Sequence, residues 1–211
     1  MEIHAPIGPT HSLKDFAVHI LIVTVGILIA LGLEGAREAW KEDKTVTEAR
    51  HNLQEELRFN EKQLVQDLQT VEDASRSLDL VLSHLPELAK TPTGLRTQVQ
   101  KLSLGLYSFK TTAWDSALAG GVVSHMNSQE FQRFDEVYLS TKSYQEMQKV
   151  AFPDLIAALA YFGSHATYGP AEISTGAEKL ITLKARLYTL HHVGEQFQGG
   201  LKRADSEAAS H

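Results

Sequence analysis

The alternation of apolar and polar positions changes character after Leu33. Residues Phe16 to Leu33, FAVHILIVTVGILIALGL, carry no Asp, Glu, Lys or Arg, and His19 and Thr24 are their only polar side chains. Wound as an α-helix, this run is roughly 27 Å long, close to the thickness of a bilayer's hydrocarbon core, and a helix satisfies its own backbone in lipid. The pattern predicts a transmembrane helix over residues 13–36, after an irregular tail over 1–12 that holds Pro6, Gly8 and Pro9. Two other structures compete for such a run. A buried core helix normally keeps a polar side, which is missing here. A cleaved signal peptide would use Ala30-Leu31-Gly32 as its small-x-small site, but the apolar run is long for one and passes directly into helix-compatible sequence.

Ser12 is placed as the N-cap of this helix, with Asp15 three residues on to complete a capping box. After Glu34 there is no proline before Pro86, and the segment is rich in Glu, Lys, Ala, Arg and Leu, so the helix is expected to continue without interruption. Trp40 lies about two turns past the span, where an amphipathic ring rests well at a membrane interface. From Leu57 the pattern steps alternately by four and three through Glu61, Leu64, Leu68, Val71, Ser75, Leu78, Leu82 and Leu85. That is a heptad seam with two polar interruptions. Pro86, Pro92 and Gly94 are expected to end the helix and turn the chain.

Leu95, Val99, Leu102 and Leu106 form one face of a short helix. Thr112 is expected to cap another, with Asp115 in its first turn, a buried Trp114 and Gly120-Gly121 to stop it. Asn127 and Glu130 repeat the capping signature before a helix carrying Phe131, Phe134, Tyr138 and Met147, whose aromatic spacing reads as core. Pro153 restarts or kinks that helix, which continues through Leu155, Ile156, Leu159 and Phe162 to Gly163. After Gly169-Pro170 the last helix shows the most regular seam: Ile173, Gly176, Leu180, Leu183, Leu187, Leu190, Gly194, Phe197 and Leu201. Two seams of this length need partners. The expected fold is therefore all-α: a transmembrane helix continuous with a long amphipathic helix, then an antiparallel helical bundle over 37–201 and a disordered polar tail over 202–211. Its candidate seam consists of Leu57, Leu64, Leu68, Val71, Leu78 and Leu82 on the first helix, facing Leu180, Leu183, Leu187, Leu190 and Phe197 on the last.

Composition narrows the function classes. The 211 residues carry a net charge of −6 and no Lys/Arg-rich run, which leaves nucleic-acid binding without electrostatic support. With zero cysteines, disulfides, thiol catalysis and Cys-ligated zinc are excluded together. Ten histidines invite a metal. His191 and His192 share Glu195 at i+4 and i+3, yet the pair of Glu-x-x-His motifs used by di-iron carboxylate bundles does not occur, and neither does His-Glu-x-x-His. Gly-x-Ser-x-Gly and phosphate-cradling glycine loops are also missing from the chain. No catalytic residue, metal ligand or cofactor is assigned on this basis. Within the span, Gly26 and Ala30 stand at small-xxx-small spacing and form a candidate helix–helix interface. Lys14 is the only basic residue before the span, whereas Arg37, Lys41 and Lys44 follow it, so the positive-inside count leans toward a cytoplasmic C-terminal domain.

Two stretches carry a resemblance. HSLKDFAVH running into VTVGILIALGLE and EARHNLQEELRFNEKQL, together with TTAWDSALAGG followed by NSQEFQRFDEVYLSTKSY, is similar to uncharacterised bacterial single-span membrane proteins with a C-terminal helical domain. The matched stretches cover about half the chain. The resemblance implies a membrane-anchored helical domain in the bacterial plasma (inner) membrane, and it supplies no catalytic residues. Many members carry a more basic N-terminal tail than this chain, which implies the opposite orientation, so the side stays open.

The expectation is thus a single-pass scaffold or accessory subunit. It would contact lipid, itself or other membrane protein subunits, and not nucleic acid. A membrane-tethered helical bundle that binds a small ligand, sensor-like, is the alternative, and a metal-dependent enzyme is the third reading.

Overall fold

The computed structural model describes residues 13–105 and 107–208, so the expectations for the 1–12 tail, the Ser12 cap, Leu106 and residues 209–211 lie outside the described residues. Six α-helices and one 3₁₀ turn are formed, and among the described residues there is no strand. The first helix, α1, runs unbroken over Leu13–Ser83 with Asp15 in its first turn. The chain divides into two compact units, Met1–Thr47 and Glu48–His211, so α1 contributes to both and the boundary falls later than the expected 36/37.

In the first unit the apolar part of α1 is exposed on all sides. Its most apolar 18-residue window has a mean hydropathy of 2.6 and no part of it is buried, and the helix is long and apolar enough to cross a membrane. A helix that is oily all round is a poor fit to water, which is the physical content of that observation.

The second unit is built on three long helices: α1 from Glu48 onward, α5 (Ser128–Ser164) and α6 (Pro170–Ala208). Their relative directions follow from cross-helix contacts. Arg50 meets Glu130, Glu56 meets Tyr138 and Asp67 meets Tyr144, so α5 runs parallel to α1. Lys184 pairs with Asp79, and a Cβ on Gly194 would reach Leu68, so α6 runs antiparallel to α1. Arg186 with Asp154, and Gly176 against Phe162, set α6 antiparallel to α5 as well.

Each helix buries one heptad stripe. On α6 this is Gly176, Leu180, Leu183, Leu187, Leu190, Gly194, Phe197 and Leu201, as the four-and-three spacing selects, while Ile173, read as the first residue of that seam, is only half-buried. On α5 it is Glu130, Phe134, Val137, Thr141, Tyr144, Gln148, Ala151, Leu155, Ala158 and Phe162, and the helix passes through Pro153 without ending. On α1 the sequence reading follows only half of the seam. Leu57, Leu64, Val71 and Leu78 are buried, as is Leu85 just past the end of α1, but the alternate position is Leu53, Asn60, Asp67, Ala74 and Val81. Leu68 and Leu82, read as seam residues, stand one residue off and are half-buried at its margin, as are Glu61 and Ser75.

The short elements close the bundle. Pro86 sits in the first turn of α2 (Leu85–Leu88), and Pro92 opens α3 (Pro92–Gln100) with Gly94 inside it, so these residues start helices where a turn is expected. Leu95 and Val99 are buried on α3 as their spacing requires, and Leu102, expected on the same helical face, is buried beyond the helix end. Helix α4 (Thr112–Ala119) is preceded by Thr111, not Thr112, and the Thr111 hydroxyl donates to Asp115 at 2.8 Å. Gly120 caps its end, and Gly121 takes φ +69°, a left-handed conformation that glycine adopts at little cost, before the 3₁₀ turn Val122–His125. Trp114 is buried and stacks on Tyr138 with ring centroids 5.3 Å apart. Asn127 accepts from the Glu130 backbone N–H at 2.8 Å and caps α5 as expected. Helix α6 continues to Ala208, which corrects the disordered tail at 202–208: no proline or glycine stands after Gly200 to end it.

Candidate functional site

Two features of the second unit carry polar chemistry where packing alone would place none. The first is a ladder of buried polar groups between α1 and α5. Glu56, Asn60 and Asp67 all face the interior from α1, and none exceeds 7% exposure. Glu56 accepts from the Tyr138 hydroxyl at 2.9 Å and from the Ala113 backbone N–H at 3.0 and 3.2 Å. Its carboxylate therefore caps the first turn of α4 from another helix, where the helix dipole favours negative charge.

Asn60 holds a loop. Its amide donates to the Lys110 carbonyl and accepts from the Lys110 N–H, both at 2.8 Å, a two-point clamp that mimics a backbone pairing. Gln145 donates to the neighbouring Phe109 carbonyl at 3.0 Å. The Phe109 ring is thereby fixed in the bundle, edge-on to Tyr144 at 5.4 Å and to Phe197 at 5.7 Å, while the Lys110 ammonium lies 4.1 Å from the centre of the Phe59 ring.

Asp67 is the most exacting member. Its Oδ2 accepts from the Tyr144 hydroxyl at 2.8 Å and from Gln148 at 2.5 Å, but its Oδ1 is buried without a hydrogen-bond partner. Burial pushes this carboxyl up to about 6, against the opposing pull of the two hydrogen bonds. Burial also pushes the Tyr144 hydroxyl up, and the adjacent Asp67 charge reinforces the shift; Tyr138 behaves the same way beside Glu56. Both tyrosines therefore stay protonated and act as donors.

The second feature is a cleft of about 370 Å³ where α1, the start of α5 and the end of α6 converge. Leu57, Phe134, Leu201 and Ala204 form its apolar surface. Arg50, Arg58 and Arg133 line it together with Glu61 and Glu130, and Gln54 and Asn127 add neutral polar groups. Glu130, though in the first turn of α5, does not return to its own N-cap. Its two oxygens take Arg50 Nε and Nη2 at 2.5 and 2.8 Å, a bidentate pair in which the carboxylate side chain is only 8% exposed. Glu130 occupies the α5 seam position at this level, and Leu201 and Ala204 line the cleft from α6.

The residues singled out from sequence fall elsewhere. Gly26 and Ala30 are exposed on the first unit's helix, and a Cβ on Gly26 would meet nothing within 4 Å. His191 and His192 place Nδ1 at 3.8 and 3.9 Å from one Glu195 oxygen on an open face. Among the described residues no group of three His, Cys, Asp or Glu stands close enough to hold a metal. The seam residues Leu180, Leu183, Leu187, Leu190 and Phe197 of α6 and Leu57, Leu64, Val71 and Leu78 of α1 are each buried; Leu68, half-buried, lies against Gly194 of α6. Sequence reasoning missed Glu56, Asn60, Asp67 and Glu130. For Asn60 and Asp67 the signal was available in the seam itself, since Leu53, Asn60, Asp67, Ala74 and Val81 repeat every seven residues.

No family model matches the chain, and no curated protein or solved structure matches it.

Proposed function

We propose that this chain is a single-pass membrane-anchored helical scaffold or accessory subunit of a bacterial plasma membrane, acting through contacts with itself or with other membrane proteins. The observation that carries this reading is the apolar helix of the first unit, unburied along its whole most apolar window, followed by a second compact unit of helices. An all-round apolar surface is stable in lipid or against another apolar helix. Gly26 and Ala30 offer the small-xxx-small stripe along which a second membrane helix approaches. The Lys14 against Arg37, Lys41 and Lys44 contrast favours a cytoplasmic second unit.

The test has two steps. Alkaline carbonate washing of vesicles is expected to leave the intact chain in the membrane, and protease protection of its C-terminal tail then assigns the side. Cross-linking in intact cells followed by mild solubilisation is expected to recover a homo-oligomer or a stoichiometric membrane partner. A strictly monomeric chain that co-purifies with nothing removes the scaffold reading.

A second reading is favoured by the cleft at Arg50, Leu57 and Phe134: a membrane-tethered bundle that binds a small ligand. Its volume is within the range of small-molecule sites, roughly 300–1,000 Å³, and it combines apolar walls with a few convergent polar groups. A thermal-shift screen against metabolites is expected to return reproducible stabilisation by one compound class.

A further inference from the structure

The cleft's chemistry selects among ligands, an inference that rests on the ligand-binding reading above. Among the described residues, three guanidinium groups line it against two carboxylates, in a chain whose net charge is −6. One of those carboxylates, Glu130, is already held by both arms of Arg50. Arg58 is largely exposed and pairs with Glu55 on its own helix at 3.5 Å. A pair of that kind, open to water, holds its guanidinium loosely. Beneath these charges, Leu57, Phe134 and Leu201 are each at least nine-tenths buried and present apolar surface to the cavity. Protein interiors otherwise pack to the density of organic crystals, so a cavity with an oily wall and a basic rim calls for an occupant that is itself two-faced.

We propose that the cleft binds a small amphiphilic anion, a carboxylate or phosphate head on an apolar chain. The head group is taken by Arg58 and Arg133, in the geometry by which guanidinium groups grip carboxylate and phosphate oxygens, and the tail lies over Leu57, Phe134 and Leu201. Arg50, bound to Glu130, fixes the wall and is not the recognition group. The same chemistry is offered by a free fatty acid and by an acidic phospholipid such as phosphatidic acid.

The test uses the full chain in phosphatidylcholine nanodiscs with three diazirine probes: a medium-chain fatty acid, the matching alcohol, and a phosphatidic acid. Sites of labelling are located by peptide mass spectrometry, and labelling of the apolar stretch 16–33 provides an internal reference for partitioning into the bilayer. The fatty acid or the phosphatidic acid is expected to label residues in 54–61 and 133–134, and the labelled arm identifies the source. The alcohol is expected to label the reference stretch but not the cleft. In the double variant R58Q/R133Q, cleft labelling is expected to fall roughly tenfold or more while the reference is unchanged. Ala204→Leu, which fills the cleft without touching a charge, is expected to abolish it. Equal labelling of the cleft by acid and alcohol overturns the anion assignment and leaves ligand binding standing. Labelling of the cleft by none of the probes overturns this proposal, and if the thermal-shift screen is also silent the ligand-binding reading falls with it. The acid-against-alcohol comparison needs no variant, so it decides the matter even where a substitution disturbs folding.

Discussion

The Tyr144 hydroxyl donates to Asp67 Oδ2 at 2.8 Å across the α1–α5 seam, while the second oxygen of the same carboxylate is buried without a partner. A heptad position that would hold leucine in an ordinary bundle thus holds a half-satisfied acid. Tyr144 in turn packs on Phe109 and lies against Gly194, so the Asp67 contact joins α1, α5, α6 and the loop before α4.

That relationship has a pH dependence with a definite sign. The carboxyl titrates near 3.8 in an ordinary setting and at about 6 in the bundle, because burial penalises its charge. Between those values the folded chain retains a proton that the unfolded chain releases. The Asp67 contribution is therefore most favourable below about pH 4, falls as pH rises to about 6 and is constant above, with a span on the order of 2–3 kcal/mol. Asp67→Asn, whose amide oxygen can still accept from Tyr144 and Gln148, is expected to raise stability at pH 8 by about 1–3 kcal/mol and to make little difference at pH 4. Urea unfolding followed by circular dichroism at both pH values checks it. A variant less stable than the parent at pH 8 would show that the charge itself is stabilising.

Much of this core is legible in sequence, and the exceptions have a common cause. The α6 seam is read correctly from Gly176 to Leu201 because each of its residues is apolar or glycine, so hydrophobic period and burial coincide. On α1 they do not. Asn60 and Asp67 are polar, and a reading that follows leucine moves to Leu68 and Leu82, one residue away. What makes Asn60 and Asp67 tolerable inside is supplied from far along the chain, by the Lys110 backbone and by Tyr144 and Gln148. Glu130 and Glu56 follow the same rule: each looks like a surface carboxylate until Arg50 or the start of α4 is brought to it. The helical continuation past Lys202 is hidden for a different reason: the segment is too polar to predict packing, yet nothing in it breaks a helix.

Gly194 is a place where close approach requires the absence of a side chain. A Cβ there would lie 2.6 Å from Leu68 Cδ2 and 2.8 Å from Tyr144 Cε2. Gly194→Ala gains helix propensity of about 1 kcal/mol but forces both neighbours aside, and is expected to destabilise by about 1–3 kcal/mol overall. Gly199, where the nearest contact is Arg203 Nη1 at 3.8 Å, is the control. Gly199→Ala is expected to stabilise by about 0.5–1 kcal/mol, so opposite signs from two substitutions on one helix are the result to look for in parallel melts.

The Asn60 clamp predicts a local effect more than a global one. Asn60→Ala removes both partners of the Lys110 backbone, at a cost of about 2–3 kcal/mol. The loop carrying Phe109 is expected to lose its anchoring first. Hydrogen exchange read at the Lys110 amide is therefore expected to accelerate strongly, with α6 amides near Leu183 and Leu187 changing much less. Uniform acceleration over all three long helices would instead assign Asn60 to the global core.

Arg50 and Glu130 offer a test of how a partly buried ion pair behaves. Removing Arg50 alone, as Arg50→Met, leaves a carboxylate only 8% exposed without its bidentate partner, and is expected to cost about 2–4 kcal/mol. Arg50→Met combined with Glu130→Met replaces the pair with apolar volume and is expected to recover much of that loss. A double variant at least as unstable as the sum of the singles would mean that the two residues do not act on one another.

The division at Thr47 predicts that the two units can be separated in the test tube. The Arg50–Glu130 pair and the Lys184–Asp79 contact are both contributed by residues after Glu48. Cutting there leaves Glu48 at the new helix start, where a negative side chain suits the exposed N–H groups. Residues 48–211 expressed alone are expected to remain in solution without detergent, to show strong helical circular dichroism and to melt in a single transition. The full chain, carrying the exposed apolar helix, is expected to require lipid or detergent. If the shorter chain collapses into a state with helical signal but no cooperative melt, then the first unit supplies packing as well as an anchor, and the boundary is not a domain boundary in the folding sense.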